Sequence, residues 1–442
     1  MKFFGGGRPD HPMADRKEAR RILDALPAQD LKALEELAQW LESVGAADGF
    51  KPEERAQLFA LIDELAQPRL TKLAAEYFRA ARVQQNLLWT RIHEYWKQAG
   101  QAHARAAGAK ALPELIVGAL RAFGQQLKWQ QLRYGPIDSA VWGLANALYA
   151  LAEARGVAAA KPEFLKAALL GASAMDTRPA AEIELAERVI SALSGDLVIE
   201  KSARADLPFW IDLGRAMAPA RSKQPPPPAP SVRFLGPGAA LAALQAKVNE
   251  PQESEALLGV MRHLAAHWAS TPPERRHKRH SMTSRLKIAY GFDGVVEALG
   301  GESNSLDFGT GPTSWVAENV SAGGFGALAP QPKGDWLRIG ALVAAWPEGA
   351  PGWMVGTVRR VSKISPQQIR VGVETLSRAP AVSRFALPGA GEAQGLLLPA
   401  APGETAIALR AGVYALRENL EATVGGRSHV YMPQGLAERG ED

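Results

Sequence analysis

The spacing of apolar residues changes once along this chain, and that change limits the folds open to it. From residue 14 to about 222 apolar side chains recur every three or four positions, as Leu31, Leu34, Leu37, Ala38 and Leu41 do. That spacing lays them along one face of a helix. From Arg285 onward they alternate with polar ones, as in Arg285-Leu286-Lys287-Ile288-Ala289-Tyr290. This is the period of a half-buried strand. The chain therefore reads as multidomain α plus β. An all-α N-terminal domain, either a bundle or solenoid-like, precedes a six-stranded β-barrel with a β extension.

Residues 1–13 read as a flexible tail. Their Gly5-Gly6-Gly7 run lacks the Gly-Lys-Ser/Thr of a phosphate loop. The helical domain spans 14–224. Pro52 opens a helix bearing Leu58, Ile62 and Leu65, and a long amphipathic helix is expected from Thr71 to about Ala99. Gly135-Pro136 breaks the pattern, and Asp138 suits an N-cap for a helix that stops at Gly156. The corner at Arg133 and Tyr134 reads as a packed turn, with a surface site as the other reading. Helix–turn–helix units follow one another without a fixed repeat period.

Pro225 to Pro230 reads as a semi-rigid polyproline linker, and two short helices are expected at 239–247 and 253–269. Together they make a connecting segment, 225–271. His263 and His267 stand four apart on the second helix, but Leu264 holds the place of a metalloprotease glutamate, so no metal is expected. Candidate strands follow at 285–291, 314–320, 325–329, 337–346, 353–362 and 367–376. Six short strands favour a closed barrel, which leaves no exposed edge. Trp346 and Trp353 flank a hairpin loop. Further strand-like pieces at 395–399, 405–410, 420–424 and 427–432 make up a region 379–442, either an extension of the barrel or a small second β unit.

Composition removes several classes. The chain has no cysteine, so disulfides and thiolate chemistry are excluded. No apolar run approaches the ~20 residues of a membrane span, and no secretory leader opens the sequence, so a cytoplasmic protein is expected. Ser173 sits in Gly171-Ala172-Ser173-Ala174-Met175, which lacks the second glycine of a nucleophile elbow. No catalytic constellation emerges, and no enzyme and no cofactor are expected. The net charge of +5 suits an anionic small molecule.

The densest positive charge is Arg275-Arg276-His277-Lys278-Arg279-His280, ahead of the first candidate strand. About forty residues later comes Asn319-Val320-Ser321-Ala322-Gly323-Gly324. Arg275-x-x-x-Arg279 followed by Asn319-x-Ser321-x-x-Gly324 resembles the paired signature of PilZ domains, bacterial receptors for cyclic di-GMP. Ile369-Arg370-Val371-Gly372-Val373-Glu374 is similar to the late strand of that family's barrel. The resemblance covers residues 272–378. The interval between Arg279 and Asn319 is longer than the family's, the excess lying in Gly300 to Thr313, which reads as a loop.

The residue types suit such a ligand. A guanidinium fork pairs with phosphate oxygens or with guanine O6 and N7, and its flat face stacks on a base. An Asn-x-Ser-x-x-Gly turn offers an amide, a hydroxyl and a bare backbone that a flat ring can approach. The resemblance implies that Arg275 and Arg279, with Arg276 as an alternative, contact phosphate and guanine. Asn319, Ser321, Gly323 and Gly324 would line the base, and Trp315 or Arg285 would stack on it. The function expected is a signalling receptor that changes domain arrangement or partner binding when it takes up the messenger. A protein partner or a second copy would meet the helical domain. The alternatives are a nucleic-acid or anionic-partner binder, of which nucleic acid is the less expected, and a helical scaffold whose barrel binds nothing.

Overall fold

Prolines and short polar side chains set where the helices of the first half begin. A computed structural model describes residues 9–110, 112–221, 226–250, 254–274, 277–300, 313–334, 336–387, 391–401, 404–410, 412–413, 419–424 and 427–436. The chain divides into two compact units: Met1–Met175 with Ala180–Pro273, and Asp176–Pro179 with Glu274–Asp442. In the first unit the helices are α1 (Arg16–Asp24), α2 (Asp30–Ala46), α3 (Pro52–Tyr77), α4 (Arg82–Ala109), α5 (Pro113–Gln131), α6 (Ser139–Ala154), α7 (Ala160–Ala172) and α8 (Ala180–Ala192). Pro52 and Pro113 take first-turn positions, where no intrahelical N–H is needed. Asp15 caps α1 through Lys17 N and Glu18 N, and Asp138 caps α6 through Ala140 N.

The core of this unit is aromatic. Trp129, Trp142 and Trp268 are each at most 2% exposed, with Phe59, Tyr95, Phe123 and Phe164 among them. An aromatic side chain buries about 150–250 Å², which at about 25 cal/mol/Å² contributes roughly 4–6 kcal/mol. Charges inside are paired. Lys128 Nζ lies 2.6 Å from Glu184 Oε2, and Arg233 Nε donates to Glu153 Oε1 at 2.9 Å. Losing one partner of such a pair would strand the other charge in a poor solvent.

Four expectations are corrected here. Of the tail expected at 1–13, residues 1–8 lie outside the described residues, while the chain is packed from Pro9: Met13 is 2% exposed, and His11 Nε2 hydrogen-bonds Ser43 Oγ at 2.8 Å. The long helix expected from Thr71 is split, because α3 ends at Tyr77 and α4 starts at Arg82. No glycine or proline marks this reversal; the packing of α3 on α4 sets it. The all-helical reading to 222 also misses a four-stranded antiparallel sheet. Its strands are β1 (Val198–Glu200), β2 (Phe209–Asp212), β3 (Ala220–Arg221) and β4 (Val232–Gly236), in the order β1-β4-β2-β3. Runs of two to five residues are too short to show a period of their own.

The fourth correction concerns the linker. Every residue of β4 is buried, and β4 follows Pro230 by two positions at the middle of that sheet. Helices α9 (Ala240–Val248) and α10 (Glu255–Trp268) then add Leu244, Val260, Leu264 and Trp268 to the aromatic core. The prolines therefore sit within the first unit, and the chain divides at Pro273 and Glu274 instead.

The second unit holds a closed antiparallel barrel in the order β10-β7-β6-β5-β8-β9. Its strands are β5 (His280–Tyr290), β6 (Thr313–Ser321), β7 (Gly324–Pro330), β8 (Leu342–Pro347), β9 (Met354–Ser365) and β10 (Gln368–Ser377). The six candidate strands are these six staves. Alternation supplies the interior: Leu286 and Ile288 from β5, Trp315 and Ala317 from β6, and Val371 and Val373 from β10 are buried. Trp346 Nε1 donates to Ala350 O at 2.9 Å and closes the β8–β9 loop.

A helix not foreseen, α11 (Gly291–Gly300), follows β5 directly. Its Phe292 and Val295 pack with Ala344, Val355, Leu396 and Leu398. The expected loop at Gly300 to Thr313 falls, for residues 301–312, outside the described residues. The extension is a separate five-stranded sheet, β13-β12-β11-β14-β15, made of β11 (Ala381–Leu387), β12 (Gly391–Ala401), β13 (Glu404–Leu409), β14 (Leu420–Val424) and β15 (Arg427–Tyr431).

Candidate functional site

Strands β6 and β7 form a hairpin whose loop is Ala322-Gly323, with Ser321 opposite Gly324. A bulge between Ala317 and Asn319 puts Asn319 opposite Gly326. The Asn319 amide lies across Gly326: a Cβ there would come within 2.8 Å of Nδ2. Asn319 Oδ1 is buried and finds no hydrogen-bond donor among the described residues. A buried acceptor left in that state costs about 1–3 kcal/mol, so it suits a partner that brings a donor.

The glycines have distinct reasons. Gly324 has φ +153°, and a Cβ on it would sit 2.1 Å from Val373 O, so no side chain fits. Gly323 O accepts from Thr375 N at 3.0 Å. Ser321 Oγ donates to Gly324 O at 3.1 Å, and Arg378 Nη2 donates to Ser321 O and Ala322 O at 3.3 Å each. The turn is therefore held from both sides.

The described part of the basic run, from His277 onward, reaches this turn. His280 begins β5 opposite Val320, and Ser281 is opposite Asn319. The His277 ring lies on Gly323, with Cδ2 2.9 Å from where a Cβ would stand. Arg279 is exposed and next in the chain to His280. Arg275 and Arg276 lie outside the described residues. Carboxylates nearby are engaged by other arginines. Arg370 forks onto Glu318 at 2.8 and 3.1 Å, and its hydrogen bonds hold the Glu318 carboxyl below the usual carboxylate range. Arg359 Nε donates to Glu374 Oε2 at 2.7 Å. The turn end thus displays cations while its acids are taken up along the strands.

Trp315 and Arg285 are not brought to this place. Trp315 is 1% exposed, pairs in register with Leu286, and lies parallel to Trp336 with centroids 6.0 Å apart. It is a wall of the barrel interior, with no face left for a ligand's ring. Asn319 lies four positions further along the strand, on the order of 13 Å away. Arg285 is exposed but lies opposite Val316, further along β5, where its carbonyl accepts from Glu348 N at 2.9 Å. Two residues at the turn were not singled out from sequence. His277 lies between the two arginines of the motif. Arg378 has no local signal; only the pairing of Glu374 with Gly324 shows that the end of β10 comes to the turn.

The histidine pair of α10 is engaged elsewhere. His263 Nε2 hydrogen-bonds Ser173 O at 2.7 Å, and Trp268 Nε1 donates to Ser173 Oγ at 2.9 Å. Among the described residues no group of three metal-ligating side chains gathers, and no helix is long and apolar enough to cross a membrane.

Residues 17–204 match the family described as the N-terminal domain of the cyclic-di-GMP receptor FimW. That family is one of receptors, not of enzymes. The match runs from α1 through β1, less than half of the chain, and ends before the barrel begins. No curated protein matches the chain.

Proposed function

We propose that this protein is a cyclic di-GMP receptor whose barrel, similar to PilZ domains, takes the messenger at the β6–β7 turn. The observation that supports the reading is the seating of His277 on Gly323, because His277 stands between Arg275 and Arg279 in the chain. The helical match to a receptor of the same messenger supports it independently.

In this reading Arg275, or Arg276 in its place, and Arg279 reach phosphate and the guanine O6/N7 edge. Asn319 Oδ1 accepts from a base N–H and so gains the donor it lacks. Gly323 and Gly324 line the site: the base takes the place of the His277 ring on Gly323, while Gly324 lets β10 pack against the turn from the other side. The lead-in starts at the division between the two compact units, so pinning it restricts the chain that joins them. The messenger thereby favours one arrangement by as much as its affinities for the arrangements differ.

Calorimetric titration with cyclic di-GMP, GTP and cyclic AMP tests this. The first should bind, and Arg275→Ala with Arg279→Ala should weaken it by about 100-fold or more, since each charged fork is worth about 1.5–3 kcal/mol. The melting temperature should hold. Unchanged affinity in the double variant, or equal binding of all three nucleotides, would end the assignment.

A further inference from the structure

The reversal between α3 and α4 displays charge and apolar surface side by side. Arg79 and Arg82 are exposed there. Val83 is 84% exposed and Leu87 46%, one helical turn apart on α4. The adjoining stripe of α4 is built to hold a third guanidinium. Arg133 Cζ lies 4.3 Å from the Trp89 ring centroid, and its Nη2 donates to Asn86 Oδ1 at 2.7 Å. Trp89 is fixed in turn, stacking on His93 at 4.6 Å and donating Nε1 to Trp129 O at 2.6 Å.

Burial and the like charge of Arg133 both lower the Arg82 pKa from its ordinary value. The corner therefore concentrates positive charge. Glu76, in the last turn of α3, accepts from Gln84 Nε2. Scattered exposed aliphatics are ordinary on a protein surface. Two of them at i, i+4, beside three arginines of which one is clamped, match what a partner helix presents.

We propose that this corner is the docking surface for an acidic amphipathic segment of a protein partner. Its carboxylates would meet Arg79, Arg82 and the rim of Arg133, and its leucine-like side chains would meet Val83 and Leu87. A nucleic acid is disfavoured because its phosphates gain nothing from Val83 and Leu87. The surface belongs to the helical unit, and its test does not depend on the messenger reading.

The full chain is titrated by fluorescence anisotropy with three labelled probes. They are a helical peptide with Leu at i, i+4 and Glu elsewhere, the same peptide with Lys for Glu, and a single-stranded DNA of the acidic peptide's charge. The acidic peptide should bind at least tenfold tighter than either other probe. Arg82→Glu should weaken it at least tenfold and Val83→Asp at least threefold. Neither side chain is in the core, so both variants should keep the wild-type melting temperature. Arg275→Ala with Arg279→Ala should leave this binding unchanged. DNA binding as tight as the acidic peptide, or an affinity unaltered in either corner variant, overturns the proposal. So does a dimer that dissociates on Val83→Asp, which would make the occupant a second copy.

Discussion

The two ends of the barrel use rings and glycines in opposite ways. At the end where β5 runs out, Tyr290 stacks on Trp336 with centroids 3.9 Å apart, and Trp336 lies parallel to the buried Trp315. Rings fill the interior there and close it. At the other end Gly323, Gly324 and Gly326 have no side chain, which lets His277, Val373 O and the Asn319 amide pack directly against the hairpin backbone, and the charges of the lead-in lie on the outside. One end is packed for stability. The other buries an amide oxygen that lacks a donor among the described residues, at some cost in stability.

Three substitutions sharpen the contrast. The largest effect on folding should come from the closed end: Trp315→Ala should lower stability by about 3–5 kcal/mol in a urea melt, since it empties a core site. A loss under about 1 kcal/mol would mean the ring stack does not seal the barrel. Gly324→Ala should cost less, about 1–3 kcal/mol, because one backbone position must leave its native φ or push Val373 away. It should also weaken messenger binding more than its effect on stability explains, and an affinity equal to wild type would detach the turn from the site. Arg378→Ala should be the mildest for folding, about 0.5–1.5 kcal/mol, as it gives up two long hydrogen bonds. Hydrogen exchange at Gly323 and Gly324 should quicken in that variant, and unaltered exchange would show that Arg378 does not hold the turn.

The sequence made the barrel legible because β5 and β10 alternate apolar with polar residues and glycine and proline punctuate the six strands. The turn was legible because its residue types are chemically special. Trp315 was misplaced for a specific reason. Strict alternation puts Trp315, Ala317 and Asn319 on one face, but the bulge after Ala317 changes that parity. Trp315, which the resemblance implied as a stacking ring, therefore stays on the interior face and does not share a face with the turn. The small sheet at 198–236 was hidden because its strands are shorter than the window any period needs. The proline run misled because extended, proline-rich chain also serves as the approach to a buried strand, here β4. Arg378 was invisible because its neighbours at the turn are distant in sequence and joined to it only by strand pairing.

The rung from Thr375 N to Gly323 O ties the loop to the stave that completes the barrel. Two residues further on, Ser377 Oγ donates to Pro399 O in β12. Loop, closing stave and outer sheet are thus joined in a mechanical train of two hydrogen bonds and a short stretch of strand. A weight placed on the hairpin tip is borne in part by the five-stranded sheet.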